Sequence, residues 1–122
     1  MQLPFSKAVE SHGFIFLSGE VPLNADGTIP EGIEAQTELV LNKIAQTLSQ
    51  QSASLNDVVS VTVYLTDKSD FAAFNQVYER FFAQPYPVRT TVIAGLVIDA
   101  AHETAIAQLA KSLPVRFDGG RV

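Results

Sequence analysis

Val58-Val59-Ser60-Val61-Thr62-Val63-Tyr64-Leu65-Thr66 is the clearest strand of the chain and decides its class. Side chains alternate across a strand, so Val59, Val61, Val63 and Leu65 share one face, with Val58, Ser60, Thr62, Tyr64 and Thr66 on the other. The first face is apolar throughout and is expected to meet helices. The second is mixed in polarity and suits a cavity wall or a subunit contact.

Helical periodicity lies on both sides of this strand. Upstream, from about residue 33 to 50, Val40, Leu41, Ile44, Ala45 and Leu48 follow three- and four-residue spacing, while Glu34, Glu38, Lys43 and Gln46 take other sides. The polar run 52–57 ends that pattern. Downstream, Ser69 or Asp70 is placed to cap a second helix. Its aromatic stripe of Phe71, Phe74, Tyr78 and Phe81, running on to Phe82, is expected to be core.

Further out the pattern returns to strands. Phe14-Ile15-Phe16-Leu17-Ser18 is a short aromatic and branched run that reads as a buried strand, and residues 5–9 form a short segment that can pair at a sheet edge. Asp26-Gly27 marks a turn, since glycine takes positive φ freely. Residues 89–97 and 102–110 read as two more strands, although the alanine-rich 105–110 also fits a helix. The tail from 113 to 122, with Gly119-Gly120, reads as a loose end. The order is β-β-α-β-α-β-β, which implies an α+β domain spanning 1–122 with two helices packed on one face of a mixed sheet.

Composition narrows the function classes. At 122 residues the chain makes one domain with a modest core. Apolar residues reach 47% and charged ones only 17%, which for so small a chain points to apolar surface buried against another subunit. The net charge of −5 supplies no basic stripe, so nucleic acid is a poor partner. The chain has no cysteine, which removes disulfides, thiol catalysis and zinc-thiolate sites. No membrane span or signal peptide is recognisable, and the cytoplasm is the expected compartment. Two isolated histidines, His12 in a turn and His102, do not make a metal site.

The chemistry concentrates in Pro85-Tyr86-Pro87-Val88-Arg89-Thr90-Thr91. The prolines stiffen the approach to Arg89 and offer no N–H to a sheet, so Arg89 falls where a loop becomes a strand. A guanidinium held there can grip a carboxylate through two parallel hydrogen bonds, which points to a small organic acid.

Together these segments resemble the Rid family (RidA/YjgF, reactive intermediate imine deaminases). The resemblance runs from about residue 3 to 109. It is carried by Phe14-Ile15-Phe16-Leu17-Ser18-Gly19-Glu20-Val21-Pro22-Leu23, by Ile33-Glu34-Ala35-Gln36-Thr37, and by Ser54-Leu55-Asn56-Asp57-Val58-Val59 with Val61-Thr62-Val63-Tyr64-Leu65-Thr66-Asp67. The aromatic helix from Phe71 and the segment Pro87-Val88-Arg89-Thr90-Thr91-Val92 complete it. It implies a chorismate-mutase-like fold, a homotrimer around a central barrel with sites between neighbours, and hydrolysis of 2-imino acids to 2-keto acids and ammonia without cofactor or metal. By the same resemblance, Arg89 holds the substrate carboxylate and Glu103 orients the attacking water. Ser18 and Gly19 border the cleft, Asn75 lies near it, and the backbone at Thr91 flanks the ligand. Phe5 stands where many members have tyrosine.

Each role has a structural alternative. Arg89 can be a surface ion pair and Glu103 a solvated strand residue. Asn75 can bind backbone on its own helix, and Ser18 can be a turn or backbone partner. Ser18 has no His/Asp pair at recognisable spacing that would make it a nucleophile. The rival functions are a non-catalytic binder of small carboxylates, a ribonuclease or translation inhibitor, and a chaperone-like surface. The acidic charge and the lack of a histidine pair weigh against RNA cleavage.

Overall fold

The computed structural model describes residues 3–95, 108–109 and 115–116, the last two pairs through their backbone. Strands β1 (Ala8–Ser11) and β2 (Phe14–Leu17) form a hairpin paired from Ala8↔Leu17 to Ser11↔Phe14. Its two-residue turn has His12 at φ 55° and Gly13 at φ 83°, the doubly positive geometry that matches the twist of the flanking strands. The first strand thus lies later than the expected 5–9. Helix α1 (Ile33–Ser49) follows, then β3 (Ser60–Leu65), α2 (Phe71–Phe81), β4 (Val88–Ile93), β5 (Gln108–Leu109) and β6 (Val115–Arg116).

The single mixed sheet expected from the pattern is, among the described residues, two three-stranded sheets. One has the order β1-β2-β6 and the other β4-β3-β5. In the second, β3 runs parallel to β4 and antiparallel to β5. Period-two alternation identifies a strand but says nothing of its neighbours, and that is where the expectation departs from the structure. Gln108–Leu109, within the 102–110 segment expected as a strand, is strand. Within 113–122, Val115–Arg116 pairs with Phe14–Ile15 instead of hanging loose.

The core lies between the sheets and both helices. Val61, Val63 and Leu65 are buried against Val40, Leu41, Ile44 and Leu48 of α1 and Phe74 and Tyr78 of α2. Each such side chain contributes about 1.5–3 kcal/mol by leaving water. The strand alternation fails at its start: Val58 is buried and Val59 exposed. A 3-10 turn at Leu55–Asp57, closed reciprocally by Ser54 and Asp57, delivers the chain to Val58 in a phase the strand pattern did not anticipate. The aromatic stripe is also split. Phe74, Tyr78 and Phe82 are buried, whereas Phe71 is 44% exposed and Phe81 only half-buried.

The cap before α2 belongs to neither expected residue. Asp67 accepts from the Ser69 N–H at 2.9 Å and opens a 3-10 turn, Lys68–Asp70, that runs into the helix; Asp70 at the α2 N-cap makes no capping hydrogen bond with its side chain. The core face of α1 also contains buried Gln36, Thr37 and Thr47. The threonine hydroxyls donate to carbonyls one turn back, Ile33 and Lys43, which removes most of the cost of burying them.

Candidate functional site

Two separate groups of residues carry the candidate chemistry. The first surrounds the end of β2. Leaving Leu17, the chain turns through Ser18 and Gly19 beside the N-terminal segment. The Ser18 N–H donates to the Lys7 carbonyl at 3.1 Å, and its hydroxyl donates to the Ser6 carbonyl at 2.5 Å. Ser18 is therefore a backbone partner that holds the N-terminal segment against β2. Phe5, Ser18 and Gly19 line a cleft of about 270 Å³ whose walls are mostly apolar, including Leu3, Leu23 and Ile44.

The polar side of this cleft is Glu20, which spacing did not single out. Its carboxylate lies 3.1 Å from Lys43 Nζ of α1 and 3.4 Å from Lys7 Nζ. Lys43 Nζ also donates to the carbonyls of Val21 at 3.0 Å and Leu23 at 2.9 Å. One lysine thus clamps the 20–23 segment to the helix. Lys43 stands just before core residue Ile44, at the edge of the apolar face. The position is legible in sequence; a partner 23 residues away is not.

The second group lies on β4 and α2. Arg89 pairs in register with Val61, and Thr91 with Val63, so both side chains belong to the helix-covered side of the sheet. The Arg89 guanidinium carbon lies 4.7 Å from the ring centroid of Tyr78, 5.5 Å from Phe74 and 5.7 Å from Phe71. Among the described residues no carboxylate is within ion-pair distance of it, so the surface ion pair considered for Arg89 does not form there. The cation covers the aromatic face of α2 instead. Burial pushes the Tyr78 hydroxyl up to about 12, with the nearby Arg89 charge opposing the shift. That hydroxyl is buried without a hydrogen-bond partner. Asn75 lies four residues after Phe71 and three before Tyr78, on the same side of α2, and is half-buried.

Phe5, Ser18 and Gly19 therefore come together in one cleft. Arg89 and Thr91 lie on β4 and Asn75 on α2, and none of them lines that cleft. Glu103 lies outside the described residues, as does His102. Residues on which a metal could bind do not cluster among the described ones, and no described helix is long and apolar enough to cross a membrane.

A hairpin, two packed helices and small sheets with a polar-rimmed cleft define an α+β protein of the YjgF type. The family model described as Endoribonuclease L-PSP matches residues 1–109. A RutC family protein of Pyrococcus abyssi is 44% identical over 91 residues, 73% of this chain and 72% of that protein. The chloroplastic Reactive Intermediate Deaminase A of Arabidopsis thaliana is 34% identical over 103 residues, 82% of this chain and 55% of that protein. A solved YjgF-family structure from Neisseria meningitidis superposes with a TM-score of 0.81 at 29% identity, covering 98% of this chain and 92% of that one. The chain belongs to this family, whose members carry the names RutC, RidA and YjgF.

Proposed function

We propose that the protein hydrolyses reactive 2-imino acids and their enamine tautomers, such as 2-iminobutanoate and 2-iminopropanoate, to 2-keto acids and ammonia. The observation that carries this function is Arg89. It is a cation on a strand, set against ring faces and making no ion pair among the described residues, with its five N–H donors suited to an acid from outside. The relative named as a reactive intermediate deaminase supports the reaction class.

In the reaction Arg89 takes the substrate carboxylate and so orients the adjoining C=N carbon. Water adds to that carbon, the nitrogen gains protons, and ammonia leaves as the carbonyl forms. A protonated imine is already electrophilic, so one carboxylate, Glu103, suffices to orient the water and carry its proton. Phe5 and the apolar walls around Gly19 receive the side chain, while Ser18, Asn75 and the Thr91 backbone frame the site. No cofactor or metal enters the scheme.

The scheme calls for a homotrimer, because the two groups of residues stand apart within one chain. Val88 and Val92 share the face of β4 turned away from the helices and are exposed, as is Tyr86 before them, an apolar surface suited to another copy. That contact would bring Arg89 of one copy to the Phe5–Gly19 cleft of the next. The acidic charge of −5 favours this chemistry over RNA cleavage.

The test couples a threonine dehydratase to the purified protein, with semicarbazide as the competing trap for imine. Faster keto-acid release is expected with wild-type protein, and no gain with Arg89→Lys, which keeps the charge and loses the fork. An unchanged rate with wild-type protein would remove the deaminase and leave only a binder of small carboxylates.

A further inference from the structure

We infer that the aromatic face of α2 is a positioning device for Arg89, with Tyr78 as its floor and Phe71 as its exposed rim. This inference rests on the proposed carboxylate-binding role of Arg89 and adds two residues to that site.

A long side chain on a strand has several rotamers, and a ligand that must choose one pays for the ordering. Three ring centroids at 4.7, 5.5 and 5.7 Å lie within the range at which a ring face attracts a cation. Phe71, Phe74 and Tyr78 come from consecutive turns of one helix, so they form a continuous surface. Tyr78 is itself held by stacking on Phe82, with centroids 4.5 Å apart and planes inclined by 29°. The floor is thus rigid before any ligand arrives. Ring faces attract the guanidinium but take none of its N–H donors in ordinary hydrogen bonds, so the cation is restrained while its fork stays available.

Phe71 separates this role from plain core packing. It is 44% exposed, whereas Phe74 and Tyr78, the other two rings beside Arg89, are buried. If burial alone set that position, leucine would serve as well. A ring there supplies what leucine cannot, a negative face beside the cation.

The experiment measures binding of 2-oxobutanoate, the keto-acid product, by NMR titration, with the dehydratase-coupled rate taken in parallel. Phe71→Leu is expected to weaken binding roughly two- to fivefold, the fold-change of an exposed cation–ring contact. Phe71→Trp, which keeps a stronger ring face, should restore wild-type affinity, and replacing Phe71 by 3,4,5-trifluorophenylalanine should weaken it. Because Phe71 is exposed, these variants are expected to unfold at the wild-type midpoint in urea. Tyr78→Phe preserves the floor and provides a second check, with affinity within about twofold of wild type. Equal affinities for Phe71→Leu and wild type would overturn the inference and leave the proposed function intact. Wild-type protein that neither binds 2-oxobutanoate nor speeds imine hydrolysis would overturn both.

Discussion

The Lys43 corner and the Arg89 corner anchor a cation in opposite ways. Lys43 is satisfied by a carboxylate and two carbonyls, in a polar knot between α1 and the 20–23 segment. Arg89 is set against three rings, and the described residues bring it no acid. The first arrangement spends the charge on structure; the second keeps it for a ligand. A lysine whose donors are all committed is a fastener, whereas a guanidinium held by its flat face remains a binding group. This contrast decides which positive charge of the molecule is the better candidate for chemistry.

The two corners should respond differently to substitution and to solvent. Phe74→Ala removes a fully buried ring from beneath Arg89 and should cost about 3–5 kcal/mol in urea unfolding, nearly independent of salt. Lys43→Met leaves two carbonyls without their donor and Glu20, 14% exposed, with only the more distant Lys7. It should cost about 1–3 kcal/mol, and part of that cost should disappear in 1 M salt, a concentration at which charges are screened within about 3 Å. Equal salt dependence for these two variants would erase the distinction. Lys7→Met, at a side chain 68% exposed, should cost at most about 1 kcal/mol in the same assay, which would make Lys43 the working half of the knot.

Alkali sharpens the aromatic side of the comparison. The Tyr78 hydroxyl titrates at about 12 in the folded protein against 10.0 for the free group. Between those values the folded state keeps a proton that the unfolded state has lost. The contribution is therefore fully present below pH 10 and falls as the pH rises toward 12. Tyr78→Phe should flatten that fall in unfolding midpoints compared at pH 9 and pH 11. It should also be neutral or slightly stabilising at pH 7, since it removes a buried hydroxyl with no partner. The smallest effect concerns Asp67, whose carboxyl is held below its usual value by accepting from the Ser69 N–H and then its hydroxyl. Asp67→Ala should lower the melting temperature slightly above pH 3.8, and the difference should close as acid protonates the wild-type carboxyl.

Much of the fold was legible because it is local. The 3.6-residue period marked α1 to within a residue of Ile33–Ser49, and alternation marked β3. The proline frame put Arg89 at the start of β4. The misses came where a neighbour decides. Val58 and Val59 exchanged burial because a capped turn sets the phase of entry, and Asp67 took the cap because a 3-10 turn precedes the helix. Of the candidate site, Phe5, Ser18 and Gly19 do meet in a cleft. The grouping of Arg89 with three rings is not legible in the sequence, since helical spacing marks the stripe as core and says nothing of the strand it faces.

By itself the sequence determined the two helices and the central strand, the family of the chain, and an arginine framed by prolines at a strand start. Each of these depends on spacing within a few residues, where backbone geometry leaves few choices. Only the tertiary structure decided that the strands form two sheets, that Lys43 reaches Glu20, and that Arg89 rests on Tyr78. The two side-chain contacts join residues 11 or more positions apart, and how the strands and faces pack depends on all of them at once, a condition no local pattern encodes.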